Sequence, residues 1–546
     1  MVSAGGGLGG IGAYLPTAVL DTSYSFVRML IAYALSLGFA LGYGYYAATH
    51  RGGERVMIPV LDILQSVPIL GFFPFAIAVL AMATPGSFVG PNFASVFLIF
   101  TSMAWNMVFG VYESLKTLPA DLKEAADTFG LRGILLFRRV LFPATVNRLV
   151  YNSVLSWTAG WFFLVEAEIF TTGTSTSLSG IGSYLSYAAS DGNSAEFLAG
   201  ILVLVLVIAI LDFAVWRPLG RWAERFRYDT TPAGEASEAL PGRDASGRIR
   251  RATMFVTRGV RTGMARLSTP FVQLALIRAR PGHTASARTR SLVYYLSLGA
   301  ILVLLWLLLI ALGVAIFDVF RGPIASTEQH DIALVPLAMG ASILRVVAAY
   351  AICLAIALPL AIQVARSSLA GRVGLPVIEV VASFPATALF PVIIFGLVPF
   401  LTPEGAAILM LLTGMIWYLF FNLLSGIRAV PPDLVEAAHA YGVRGPRFLR
   451  RVLLPATFPA LITGSITAFG GGWNTLIVAE YLSLGQHEQL SVLGIGQLID
   501  IGTNLGASGY ALLAVALLTL VGTVVAINEL IWKPLYRRAV TQYRYD

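Results

Sequence analysis

Two stretches decide the fold: residues 124–143, EAADTFGLRGILLFRRVLFP, and residues 436–455, EAAHAYGVRGPRFLRRVLLP. They lie 312 positions apart. Each has Glu-Ala-Ala, a glycine six residues after the glutamate (Gly130, Gly442), an Arg-Arg-Val-Leu run and a closing proline (Pro143, Pro455). Each is a polar, Arg-bearing island between long apolar spans. Proline and aspartate at 119 and 121, and at 431–433, are helix-start signals. Gly130 and Gly442 are suited to stop that helix. The spacing predicts a short helix, a glycine turn and a second helix lying across one membrane face. The exposed small residues and a glutamate offer a partner protein a close approach and a charge.

The islands belong to a duplication, the pattern to be sought first. Val27-Arg28-x-x-x-Ala32-Tyr33-Ala34 pairs with Leu344-Arg345-x-x-x-Ala349-Tyr350-Ala351, and Pro59, Asp62, Pro68 and Pro74 pair with Pro376, Glu379, Pro385 and Pro391. Trp105 pairs with Trp417, Gly160-Trp161 and Glu168 with Gly472-Trp473 and Glu480, and Gly180-Ile181-Gly182 with Gly494-Ile495-Gly496. Trp216-Arg217-Pro218-Leu219 pairs with Trp532-Lys533-Pro534-Leu535. The offset drifts only between 312 and 317, with the small gaps falling where loops are expected. Chance does not produce such a series.

Composition places both copies in a bilayer. The 546 residues are 57% hydrophobic and only 12% charged, with mean hydropathy +0.78. Soluble domains carry about 25% charged residues. Many apolar runs exceed the roughly 18 residues needed to cross a membrane. Spans are predicted at about 22–48, 57–83, 93–116, 145–171 and 196–218, and again at 338–366, 374–400, 405–428, 457–481 and 508–532. An unpaired apolar run at 291–318 brings the expected total to eleven. The fold class is therefore an all-α polytopic membrane protein. It is organised as a first unit 1–229, a basic linker 230–290, an extra span 291–318 and a second unit 337–546.

The net charge of +8 is a topology signal and not a nucleic-acid signal. Arg132, Arg138, Arg139 and Arg148 cluster at the first motif loop, and Arg444, Arg447, Arg450 and Arg451 at the second. Excess arginine marks cytoplasmic loops. Five spans per unit, plus the unpaired one, set the two units parallel, unlike the inverted repeats of many secondary transporters. This places the N-terminus outside and the C-terminus in the cytoplasm. The linker reads as a loose basic connector, or over 255–277 as a surface-lying amphipathic helix. The lone Cys353 excludes disulfides and thiolate metal sites. Residues 1–17 lack the basic start of a cleavable signal.

The repeated pattern resembles the EAA signature, EAA-x3-G-x9-I-x-LP, of the membrane subunits of ATP-binding-cassette importers. Val140 and Val452 stand where isoleucine is usual, and Phe142 replaces a leucine. The resemblance covers nearly the whole chain as two fused five-span permease units of the type I importer fold. Leu375-Pro376-Val377-Ile378-Glu379, Ala429-Val430-Pro431 and Val478-Ala479-Glu480 resemble the nitrate, sulfonate, taurine and bicarbonate group. It implies that Glu124, Ala125, Ala126 and Gly130, with Glu436, Ala437, Ala438 and Gly442, form coupling helices. These would sit in the grooves of two copies of a cytoplasmic ATPase. The chain has no G-x4-GK[ST] phosphate loop, so ATP and Mg are expected in those partner subunits, with no cofactor here. An extracytoplasmic binding protein is expected to deliver a small solute, with an anion favoured.

Ionisable residues inside spans are functional candidates, since each costs roughly 2.5–3.5 kcal/mol at mid-membrane on insertion scales. Arg28 and Arg345 either face a path and attract an anion or snorkel to the outer interface. Glu168 and Glu480 share a helix face with Trp161 and Trp473; they either line a gate or bond between helices. Glu166 has no acidic mate, as Val478 takes its place, and Asn474 replaces Phe162. Two other classes remain open: an ion-coupled secondary transporter, which needs inverted repeats, and a scaffold that recruits an ATPase without a transport path.

Overall fold

The computed structural model describes residues 10–66, 68–71, 73, 89–131, 133–171, 177–226, 326–367, 369–382, 384–397, 400–481, 483–484, 488–489 and 492–542. The linker 230–290 and the extra span 291–318 lie outside the described residues. Both repeats fall in one compact unit, Met1–Ala209 with Thr327–Asp546; Ile210–Arg225 falls in another.

The first repeat contains α1 (Ile11–Thr49), α2 (Arg51–Ser66), α3 (Val89–Lys116), α4 (Ala120–Thr128), α5 (Phe142–Phe170), α6 (Ile181–Ser190) and α7 (Ser194–Leu211). The second contains their equivalents α8 (Ser326–Arg366), α9 (Leu375–Ala382), α10 (Pro403–Arg428), α11 (Pro432–Ala440), α12 (Leu454–Tyr481), α13 (Ile495–Asn504) and α14 (Tyr510–Ile527). Among the described residues the only strand pairing is a two-residue ladder, Ser483–Leu484 against Glu488–Gln489. Seven described helices are long and apolar enough to cross a membrane. The chain is an all-α polytopic membrane protein built from two repeats.

Small residues hold each repeat together. Ala18, Thr22, Ser25, Met29, Ala32, Ser36, Ala40, Gly44 and Ala47 line the buried face of α1 at three- and four-residue spacing. A Cβ on Gly44 would stand 2.8 Å from the Val111 Cβ of α3. Lipid tails are as apolar as leucine, so helices associate in the bilayer through close packing of small residues. The equivalent stripe on α8 is Ala338, Ser342, Val346, Ala349, Cys353, Ala357 and Ala361, all buried. Cys353 is thus the packing counterpart of Ser36. In the second repeat a Cβ on Gly414 would fall 2.1 Å from Thr475 Oγ1, so α10 and α12 are likewise in backbone-close contact.

Two features differ from the sequence reading. The span expected at 374–400 is broken into α9, a 3-10 turn Ala386–Leu389, a helical turn Phe390–Val392 and a π-turn Ile393–Leu397. Pro385 and Pro391 cannot donate the bonds a continuous helix requires. Second, α6 and α13 are separate short helices that hydropathy alone did not announce. Five π-turns end two residues before a proline: Phe137–Leu141, Asp212–Trp216, Ala370–Gly374, Leu449–Leu453 and Asn528–Trp532, before Pro143, Pro218, Pro376, Pro455 and Pro534. A proline ring clashes with the carbonyl four residues earlier, and the wider π-turn relieves that clash. The closing proline of each motif therefore sets how the polar loop turns into the next long helix.

The repeats meet through reciprocal contacts. The Leu70 N–H donates to Asn474 Oδ1 on α12 at 3.2 Å. The Thr387 hydroxyl donates to the Phe162 carbonyl on α5, also at 3.2 Å. Leu70 is the equivalent of Thr387, and Phe162 that of Asn474. Two-fold relationships produce such exchanged pairs.

Candidate functional site: paired loops and paired ion clusters

Each motif loop is a short helix ended by glycine. The Leu131 N–H donates to the Ala126 carbonyl at 2.9 Å and the Gly130 N–H to Asp127 at 3.0 Å. The Val443 N–H donates to Ala438 at 2.8 Å and the Gly442 N–H to His439 at 3.0 Å. This pair of bonds is the Schellman closure, which needs a left-handed residue. Gly130 and Gly442 supply it, with φ of 64° and 72°. A Cβ on either glycine would meet nothing within 4 Å; backbone conformation, not crowding inside the chain, demands glycine here.

The motif residues divide by exposure. Glu124 and Ala125, and Glu436 and Ala437, are exposed, whereas Ala126 and Ala438 are buried against the chain itself. The exposed pairs Arg138–Arg139 and Arg450–Arg451 follow on the adjoining π-turns. The sequence reading missed the two most prominent side chains. Phe129 is 80% exposed and Tyr441 is 89% exposed. They are equivalent, and each stands immediately before the turn glycine. An aromatic kept at one place in both copies of a polar loop was the signal available for finding them. Exposed aromatics are typical anchors of protein interfaces.

The in-span arginines and glutamates occupy a different place: they are joined inside each repeat. Arg28 Nη1 lies 2.6 Å from Glu168 Oε1. Its Nε donates to Asn92 at 2.7 Å and its Nη2 to the Ser179 carbonyl at 2.8 Å. The Ser25 hydroxyl lies 2.7 and 2.9 Å from the two Glu168 oxygens. Glu168 also accepts the Gly182 N–H at 2.8 Å, and Ser25 the Ile181 N–H at 2.9 Å. A carboxylate facing the first amides of α6 is stabilised there by the unsatisfied N–H groups of the helix start. A Cβ on Gly180 would fall 2.2 Å from the Glu168 carboxyl carbon, so the turn into α6 passes over the carboxylate at a distance only glycine permits.

The second repeat repeats this cluster with equivalent residues. Arg345 Nη1 lies 2.5 Å from Glu480, and Arg345 donates to the Leu493 carbonyl at 2.6 Å. Ser342 donates to Glu480 at 2.6 Å, and Glu480 accepts the Gly496 N–H at 2.8 Å. The third partner differs. Glu404 replaces Asn92 and receives Arg345 through two bonds, of 2.6 and 2.7 Å. Both arginines are 5% exposed and both paired glutamates 0%. Neither guanidinium offers a free charge to a solute; the clusters tie α1 to α5 and α6, and α8 to α12 and α13. Trp161 and Trp473 are buried, Trp161 beside Gly160, whose missing Cβ makes room for Met29 and Met103. Of the path candidates, Asn474 is the one whose described bonds reach the other repeat. Glu379 is exposed on α9, and the Asp62 side chain lies outside the described residues.

A duplicated helical membrane protein with paired, glycine-closed cytoplasmic-type loops is built as the permease part of a binding-protein-dependent importer. Residues 34–216 and 351–530 each match the family described as the binding-protein-dependent transport system inner membrane component, and the chain belongs to that family. It is similar to the nitrate import permease of Leptolyngbya laminosa, 28% identical over 35% of this chain and 64% of the relative. It is also similar to the putative aliphatic sulfonates transport permease of Escherichia coli K12, 30% identical over 29% of this chain and 59% of the relative. The glycine betaine/proline betaine permease of the same organism is 29% identical over 32% of this chain and 48% of the relative. The chain thus spans about half to just under two thirds of the length of these relatives. As a member of this family it is a multi-pass membrane component of an ATP-binding-cassette importer, a class that works with ATPase and binding-protein partners.

Proposed function

We propose that this chain forms by itself the complete two-fold membrane pathway of an ATP-driven importer in a prokaryotic cytoplasmic membrane. The loops at 119–143 and 431–455 dock two copies of an ATPase subunit, which hold the ATP and Mg. A binding protein delivers a small solute from outside. ATP binding draws the loops together and rocks the repeats between outward-open and inward-open arrangements. The observation that carries this reading is the equivalence of the loops down to the Schellman bonds and the aromatics Phe129 and Tyr441. Likeness to the nitrate and sulfonate permeases supports a small anion, such as nitrate, a sulfonate, taurine or bicarbonate. The buried pairing of Arg28 and Arg345 adds nothing to that choice.

The reading requires both loops on the cytoplasmic side, with the N-terminus outside and the C-terminus inside. Cys353 is buried and is the only cysteine, so introduced thiols report cleanly. Single cysteines at the exposed, equivalent positions Asp127 and His439 are expected to react with an impermeant maleimide only from the cytoplasmic side. Labelling of the two from opposite sides would indicate inverted repeats and the ion-coupled alternative.

A further inference from the structure

The two repeats differ where the last turns of their first long helix meet the motif loop. In the first repeat aromatic rings close that contact. Tyr45 on α1 stands edge-on to Phe137, with centroids 5.4 Å apart, and Tyr46 stacks on His50 at 4.3 Å. In the second repeat the equivalents carry no rings: Ile362 stands for Tyr45, Leu449 for Phe137, Gln363 for Tyr46 and Ser367 for His50. A groove of about 460 Å³ lies there, between α8 and the π-turn that begins at Leu449. Pro359, Ile362 and Leu449 form its apolar walls. Gln363, Arg366 and Ser367 line it toward the C-terminal end of α8.

The charge at that end is also peculiar to the second repeat, because Thr49 is the equivalent of Arg366. Among the described residues no carboxylate pairs with Arg366. Its guanidinium lies over the Phe448 ring, 5.6 Å from the centroid, and that ring stands 5.4 Å from His439 on α11. A second arginine reaches the turn after Ser367: a Cβ on Gly371 would stand 3.8 Å from the Arg428 Nη2. The exposed Arg450 and Arg451 follow Leu449. The helix that carries the groove is apolar enough to cross a membrane and ends at Arg366, so this end lies at the membrane surface. An apolar trough along a spanning helix thus runs out into a group of cations at the interface. Inorganic phosphate would satisfy the arginines and leave the apolar walls bare. A zwitterionic headgroup would bring its own cation against them. An anionic headgroup with an attached acyl chain matches both parts, since guanidinium groups bind phosphate oxygens in pairs and basic pockets between spanning helices take anionic lipid. We propose that this groove holds one anionic phospholipid, its phosphate at Arg366 and an acyl chain against Ile362 and Leu449. The lipid then bears on the second motif loop and not on the first. The proposal stands on the chain crossing a membrane and does not depend on the cargo.

The test titrates the purified full chain in detergent with phosphatidylglycerol, with phosphatidylcholine of the same acyl chains and with inorganic phosphate, and counts bound molecules by native mass spectrometry. One phosphatidylglycerol per chain is expected to stay bound, with a preference of about fivefold or more over phosphatidylcholine, and phosphate is expected not to displace it. Arg366→Gln is expected to remove the preference. Ile362→Tyr combined with Leu449→Phe restores the ring pair of the first repeat, keeps every arginine, and is expected to abolish the retained lipid. Equal retention of the two lipids, displacement by phosphate, or retention that survives the filled groove overturns the proposal. So does a wild-type chain that retains no lipid, the result expected if another part of the chain, such as 291–318, covers the groove. Arg366 is exposed, so its variant decides the matter even where the filled variant folds poorly.

Discussion

Phe129→Ser combined with Tyr441→Ser is expected to release the ATPase subunits while leaving the chain folded in the membrane. Both side chains are almost fully exposed, so their removal opens no cavity and breaks no described bond within the chain. Aromatic anchors at interface centres carry on the order of 2–4 kcal/mol each, so losing both weakens association by roughly a thousandfold or more. Each single variant should retain one docked loop and weaken association by roughly 30-fold or more. Pull-down of nucleotide-hydrolysing activity with the tagged chain, together with an unchanged unfolding midpoint of the chain alone, checks this. Full association of the double variant would remove the aromatics from the docking surface.

The second large effect concerns the buried clusters. Glu168→Ala leaves the Arg28 guanidinium, among its described hydrogen bonds, with those to Asn92 and the Ser179 carbonyl and takes the acceptor from the Gly182 N–H. Removing one partner of a buried ion pair costs about 3–5 kcal/mol. Glu480→Ala should cost clearly less, because Arg345 keeps two bonds to Glu404. That remaining carboxylate is 54% exposed, which limits what it compensates. Arg28→Met with Glu168→Gln should recover most of the loss: the charge is gone from both sides, and the amide oxygen still accepts from α6. Thermal unfolding of the purified variants tests the order wild type, then Glu480→Ala, then Glu168→Ala. Equal losses for the two alanine variants would show that Glu404 does not share the charge of Arg345.

The duplication and the loops were legible because both depend on local signals. Glycine at the turn, proline before the long helix and small residues at close spacing act within a few positions, and the repeat displays each twice. Arg28 and Glu168 were visible as paired ionisable residues but not as partners. They are 140 positions apart, and hydropathy does not report which groups converge. The repeated Gly-Ile-Gly is legible as a repeat without its role; the structure gives it as the close turn that lays α6 amides on a carboxylate. The broken course of 374–400 was hidden by its uniform apolarity, although Pro385 and Pro391 marked the breaks. Exposure of Phe129 and Tyr441 is a tertiary property, and the motif pattern directs attention to Glu-Ala-Ala instead. Val478, standing where Glu166 has its equivalent, was readable as an asymmetry; only the packing of α5 on the other repeat gives it a location.

The stoichiometry of the complex isolated from native membranes tests the central claim most directly. The proposed docking of one ATPase subunit at each of the two equivalent loops predicts a mass equal to one copy of this chain plus two ATPase subunits. A complex with two copies of this chain per ATPase pair, or a chain isolated with a single ATPase subunit or none, would contradict it.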